Sequence, residues 1–138
     1  MVSPFDMLEI NSLQTPFYEA AARGELVVPW CTATQRPFWP PSPSSPFVDK
    51  AEVVWRPIDV SGIVRAKIVF RRAFLAEFKH LLPYAVALVE LEQALRLLVF
   101  ATTPAKINVG EKVTVGVATI VEHAAPVPVV VEATGSLL

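Results

Sequence analysis

Apolar and polar positions change period several times along this chain. Residues 1–14 show no clear period and read as an extended arm. In TPFYEAAARGEL the apolar positions Phe17, Ala20 and Ala21 recur at helical spacing. Thr15 suits an N-cap, Pro16 a first helical turn and Gly24 a C-terminal stop. A short amphipathic helix is predicted over 15–23. Leu26 to Trp30 is a short β-like run, followed by a proline-rich stretch. VVWRPIDVSGIVRAKIVF then shows β-branched, strand-like runs. Their break at Ser61-Gly62 predicts a turn or sharp bend where the backbone needs glycine.

In RRAFLAEFKHLL, residues 71–82, Phe74, Phe78, Leu81 and Leu82 share one helical face. The segment is either a short helix or a loop with apolar anchors, closed by Pro83. YAVALVELE alternates as a strand, with Ala85, Ala87, Val89 and Leu91 on one face. Gln93-Ala94 is a tight connection into a returning strand, LRLLVFAT. A turn pivoting on Gly110 leads to VTVGVATIVEH, where Gly116 is a candidate bulge. The proline-flanked VPVVVEATGSLL is a short edge strand or a segment bound elsewhere.

The pattern gives one short helix and then about five strands in roughly 70 residues, which a closed Greek-key barrel of the OB type accommodates. The expected fold is mainly β. An arm and helix occupy 1–26, an irregular ribbon 27–50, a five-stranded OB-fold barrel 51–123, and a tail 124–138.

Composition adds to this picture. At 138 residues the chain is one domain's worth. Hydrophobic residues reach 53% while charged ones are only 18%, too few to coat a lone monomer. An apolar surface patch facing a partner is expected. The net charge of −1 lacks the basic excess that nucleic-acid binders usually carry. The opening MVSPFDMLEI has neither the basic nor the apolar region of a signal peptide. No uncharged apolar run reaches the ~18 residues of a membrane-spanning helix. The longest candidate, Leu81 to Leu98, is broken by Glu90, Glu92 and Arg96. A cytoplasmic protein is expected.

The stretch WCTATQRPFWPPSPSSPFV, residues 30–48, holds the only cysteine and five prolines. A structural zinc needs four thiolate or imidazole ligands, commonly from two Cys-x-x-Cys knuckles. Cys31 is followed three residues later by Thr34, and a second pair at this spacing falls on Ser45 and Val48. Thr, Ser and Val do not ligate zinc, and His80 and His123 are far away in sequence. No metal is expected here. One cysteine also rules out an intramolecular disulfide.

The order of these features resembles the thiolase-associated zinc-ribbon/OB-fold family, long filed as a domain of unknown function. The resemblance rests on TPFYEAAARGEL, WPPSP (Trp39–Pro43), VVWRPIDVSGIV, PYAVALVELE with the RLL return, and VGEKVTV. It runs from about Thr15 to Glu122. It implies a rubredoxin-like ribbon whose four cysteines fall on Cys31, Thr34, Ser45 and Val48, so that only the first remains. The family's Ser-Gly-x-Gly turn has Val64 in place of its second glycine. The resemblance further implies a non-catalytic accessory subunit without zinc. Its partner would be a thiolase-like enzyme (aldolase or acyltransferase) or a hotdog-fold enoyl-CoA hydratase, and acyl-CoA a molecule it helps to bind.

The residues agree with a non-catalytic role. Cys31, His80 and His123 are the obvious nucleophile and base candidates, and nothing in the sequence places them together. Arg71 and Arg72, with Lys67 and Lys79, form the one modest basic cluster. It is either a solvated surface or a contact for CoA phosphates or a partner's acidic rim. The cluster Trp30, Phe38, Trp39, Pro40 and Pro41 is either the ribbon's own small core or a partner-facing surface. Trp30, Phe38, Trp39 and Phe47 are expected to hold the ribbon by packing. An alternative reading is an OB-fold single-stranded nucleic-acid binder, which needs a basic groove with stacking aromatics. Balanced charge and Val-, Leu-, Ile- and Ala-rich strands argue against it.

Overall fold

A computed structural model describes residues 13–73, 76–121 and 126–133. The first element is helix α1, Thr15–Ala22. It starts at the predicted residue, but with Gln14 rather than Thr15 at the N-cap and Pro16 inside the first turn, and it ends at Ala22. Phe17, Tyr18, Ala20 and Ala21 are buried. Gly24 ends it at φ +77°. The Glu25 N–H donates to Ala20 O and the Gly24 N–H to Ala21 O, a Schellman stop that needs the left-handed conformation glycine adopts freely.

Strand β1, Val27–Cys31, is buried at every position. It therefore needs partners on both edges. They are β2, Arg36–Pro37, and β3, Val53–Pro57, both antiparallel, in a three-stranded sheet ordered β2-β1-β3. The remaining strands are β4 (Ser61–Phe70), β5 (Tyr84–Glu90), β6 (Arg96–Ala101), β7 (Lys112–Ala118) and β8 (Val127–Ala133). They close into a barrel ordered β4-β5-β6-β8-β7. All neighbours are antiparallel except β6 and β8, which run parallel through Phe100 and Val129. In barrel order this is first-second-third-fifth-fourth, the Greek-key path expected of an OB-type barrel.

Two strands sit differently from the sequence pattern. VVWRP, expected in the barrel, belongs to the ribbon's sheet. VPVVVEA, expected as an edge or a bound tail, is the fifth barrel strand. The reason is edge satisfaction. Without β8, β6 and β7 would each present an unpaired edge, and closure removes both. The 71–82 segment resolves as 3-10 turns over Ala76–Leu81, while Phe74 lies outside the described residues. The Gln93-Ala94 connection is tight as expected. Both residues take positive φ, 53° and 61°, and Leu95 N donates to Glu92 O, a type I′ turn between antiparallel strands.

Gly62 has a different role from the sharp bend foreseen. It lies inside β4 with no positive φ. A Cβ there would come within 2.5 Å of Val89 Cγ1 and 2.8 Å of Glu90 O. Glycine lets β4 cross close to β5.

One apolar core runs through both sheets. Phe17, Val28 and Trp30 from the helix and ribbon join Val64, Ala87, Val89, Leu97, Val99 and Val113 of the barrel. Burying each Val, Leu or Phe contributes about 1.5–3 kcal/mol before entropy is counted. No helix among the described residues is long and apolar enough to cross a membrane.

Candidate functional site

Two places carry chemistry: the tip of the ribbon and one end of the barrel. At the ribbon tip the chain makes two facing knuckles. In the first, Cys31 leads into the β1–β2 turn, where Gln35 takes φ 55° and its N–H donates to Cys31 O at 2.8 Å. The Cys31 sulfur accepts from the backbone N–H groups of Ala33 and Thr34. In the second, Ser45 Oγ accepts from the N–H of Phe47 at 3.0 Å and of Val48 at 3.2 Å. Each knuckle thus aims the backbone N–H groups two and three residues on at one side-chain atom.

The two knuckles meet. With its lone pairs engaged by two N–H groups, the Ser45 hydroxyl has its proton free for the Cys31 sulfur that it faces. The Thr34 hydroxyl oxygen is buried without a full hydrogen bond and also lies against the thiol. The Ser45 hydroxyl first, then that of Thr34, each close to the sulfur, hold the Cys31 thiol down to about 7 against the opposing effect of burial. Cys31 is fully buried. Val48, at the fourth position, is 39% exposed.

This donor set does not fit a tetrahedral zinc. It offers one thiol, two hydroxyls and a methyl-bearing side chain, and the hydroxyls are directed at the thiol. No group of three or more His, Cys, Asp or Glu side chains among the described residues could hold a metal ion.

Aromatic packing fixes the ribbon's flank. Trp30 and Phe38 are buried, and Trp30 Nε1 donates to Arg56 O at 3.3 Å. Trp39 packs against the core and lies 5.1 Å from the Phe17 ring. Phe47 departs from expectation. It is 36% exposed, touching Phe38 edge-on and covered by the Arg36 guanidinium at 4.1 Å. A second-knuckle residue beyond the sheet has one ring and one cation to lean on, not a core. Gln35 ties the ribbon to the barrel through its carbonyl, which accepts from Gln93 Nε2 at 3.0 Å, while its side chain accepts from Arg56 of β3 within the ribbon's own sheet at 2.9 Å.

The other place is a cavity of about 600 Å³ at the barrel end, a volume typical of small-molecule sites. Its lining includes Lys67, Arg71, His80, Leu82, Pro83 and Thr103, and no acidic residue. Lys67 Nζ donates to Ile107 O at 2.8 Å and Pro104 O at 3.2 Å. No carboxylate pairs with Lys67, Arg71 or His80 among the described residues. A half-buried ammonium held by two carbonyls, beside two more basic groups, favours an anion.

Of the sequence candidates, Arg71 and Lys67 therefore meet at one cavity. Arg72 is exposed beyond its lining, and Lys79 stands on the neighbouring turn. His80 joins the cavity, which sequence reasoning missed. Its position one residue after Lys79 and three before Pro83 was the available signal. Cys31 and His80 belong to different places, and no hydrogen bond links them. His123 lies outside the described residues.

Two solved structures carry this architecture. A chain of the Ltp2-ChsH2(DUF35) aldolase is 28% identical, with TM-score 0.75, covering 88% of this chain and 94% of that one. A DUF35-family protein of unknown function from Sulfolobus solfataricus is 16% identical, with TM-score 0.55, covering 92% of this chain and 88% of that one; it shows the fold alone. Both structural neighbours are DUF35 proteins. No protein-family model matches the chain, and no curated protein matches it.

Proposed function

We propose that this chain is a DUF35-family accessory subunit, without catalytic residues of its own, in an acyl-CoA-processing complex. The observation that supports it most is the match over nearly the full length of both chains to a subunit of the Ltp2-ChsH2(DUF35) aldolase, which is itself named as an assembly of two proteins. The partner is a thiolase-like enzyme, such as an aldolase or acyltransferase, or a hotdog-fold hydratase. The ribbon binds no zinc and works as a hydrogen-bonded brace around Cys31. The cavity at Lys67, Arg71 and His80 contacts the phosphates of the acyl-CoA that the partner processes, while Arg72 stands exposed beyond its lining.

Co-expression with a thiolase-like or hydratase enzyme from the same genome tests this reading. Co-elution, and partner activity that drops without this chain, are the expected results. Independent elution with unchanged activity overturns it. The nucleic-acid alternative is not favoured by the comparisons, and salt-dependent oligonucleotide binding would be its signature.

A further inference from the structure

The outward surface of β4, β5 and β6 is apolar over two complete cross-strand rows. Register sets Ala66 beside Leu88 and Leu88 beside Leu98. The next row runs Ile68, Val86, Phe100. Their sequence neighbours Ala85, Ala87, Val89, Leu97 and Val99 fill the barrel, so side-chain alternation turns these rows outward. Ile68 is 62% exposed and Leu98 66%. At one end the face continues into rings: Phe70 stacks on Tyr84 at 5.0 Å, and Phe78 on Phe100 at 6.4 Å. Strands apolar on both faces are usually covered on both. Here, among the described residues, the inner face is buried while the outer one is only partly covered: Val86, Leu88 and Phe100 are half-buried, and Ile68 and Leu98 are exposed.

The charges at the ends of this face limit what can cover it. At one end Arg65 and Arg96 both bind Glu90, leaving a net positive charge. At the other end stand Arg71, Arg72 and Lys79, with Glu77 as the one acidic neighbour on the turn. No ion pair engages those three cations among the described residues. Two copies placed face to face would set a basic end against a basic end in either orientation. A second copy of this chain is therefore repelled.

The geometry points to this face as the docking surface for a different subunit, one with an apolar centre flanked by carboxylates that meet Arg72 and Lys79, the two cations outside the cavity lining. This rests on the accessory-subunit reading above and adds where the partner sits and what its surface is made of.

The test uses the full chain and the enzyme subunit with which it co-purifies. Leu98→Asp and Ile68→Asp change exposed positions, so thermal unfolding should stay near wild type. Their affinity for the partner should fall at least about 100-fold, as for the loss of an interface hot spot. Val48→Asp on the ribbon, a similar change away from this face, should keep wild-type affinity. Reversing Arg72 and Lys79 to Glu should slow association about tenfold at low salt and lose that effect at high salt. Light scattering of the chain alone should give a monomer. The proposal is overturned if both face variants bind like wild type, or if all three Asp variants lose binding alike. A dimer that Leu98→Asp dissociates would overturn it too, because a second copy would then cover the face. Wild-type chain that never binds the enzyme overturns the accessory reading itself, a different result from wild-type binding that survives the face variants.

Discussion

The ribbon and the barrel fix their backbones in opposite ways. In the barrel, closure pairs every strand on both edges, and small β-branched residues such as Val64, Val89, Val99 and Val113 fill the middle. In the ribbon, β2 is two residues long and the loop beyond it has no regular structure. Its shape hangs on one thiol, two hydroxyls, a few backbone N–H groups and inward-facing rings. A barrel tolerates the change of one polar contact because hundreds of apolar atoms share the load. A two-knuckle loop concentrates its order at a single point, so small chemical changes there act strongly.

The largest expected effect comes from converting that point to a metal site. Combining Thr34→Cys, Ser45→Cys and Val48→Cys with Cys31 should give about one zinc per chain, with a wild-type chain that takes up none. Structural zinc contributes an apparent 10–16 kcal/mol in small zinc-binding peptides, so thermal stability of the variant should become strongly chelator-sensitive. Metal analysis showing no zinc in the variant would mean the knuckles do not face each other as described.

Next is a barrel test. Gly62→Ala places a methyl against Val89 and a backbone oxygen. Overpacking of this kind costs about 3 kcal/mol. The melting temperature should fall by roughly 10 °C for a chain of this size. Gly116→Ala meets a movable Val131 methyl instead and should cost clearly less. Equal effects at the two glycines would contradict the close β4–β5 approach.

Ser45→Ala should cost about 1 kcal/mol, the usual net worth of a hydrogen bond. It has a pH signature as well. The Cys31 thiol sits near 7 in the folded chain against 9.0 ordinarily, so unfolding takes up a proton between those values. Stability should therefore rise as pH goes from about 7 to 9 and be lost as pH falls back through 7. Denaturant midpoints measured across this range should show the slope in wild type and a flatter line in Ser45→Ala. An unchanged slope would separate Ser45 from the thiol.

The smallest effect is a gain. Gln93 and Ala94 hold positive φ without being Asn or Gly. Gln93→Asn with Ala94→Gly should relieve about 1 kcal/mol of backbone strain. The Gln93 change also removes a bond to the ribbon at Gln35. A gain below that of Ala94→Gly alone would report how much this bond contributes.

Much of this fold was legible in residue patterns. Alternation found β5 and β6, and Gly24 marked the helix stop. The misplacement of β3 and β8 has a physical cause. Both read as half-buried strands, and a strand's own pattern does not say which edge it completes. For the ribbon, the family resemblance singled out Cys31, Thr34, Ser45 and Val48, but not the two N–H groups that Ser45 accepts from. A serine that accepts two N–H groups and faces a sulfur looks like any loop serine in sequence. The outer apolar face was readable in principle, since Val86, Leu88 and Leu98 make their strands apolar on both sides. Burial on one face only becomes visible once neighbours are assigned. The cavity's basic groups come from β4 and from the turn before β5, and only the fold brings His80 to Lys67.

The apolar cluster that joins Phe17, Val28 and Trp30 to the barrel valines makes dissection impractical. Cutting the chain between β3 and β4 would strip the cover from Val64 and Leu97 on one side and from Trp30 on the other. The ribbon is not an independent module that recombination or truncation can remove. The ribbon and the barrel share one core, so a partner gripping either part bears on both.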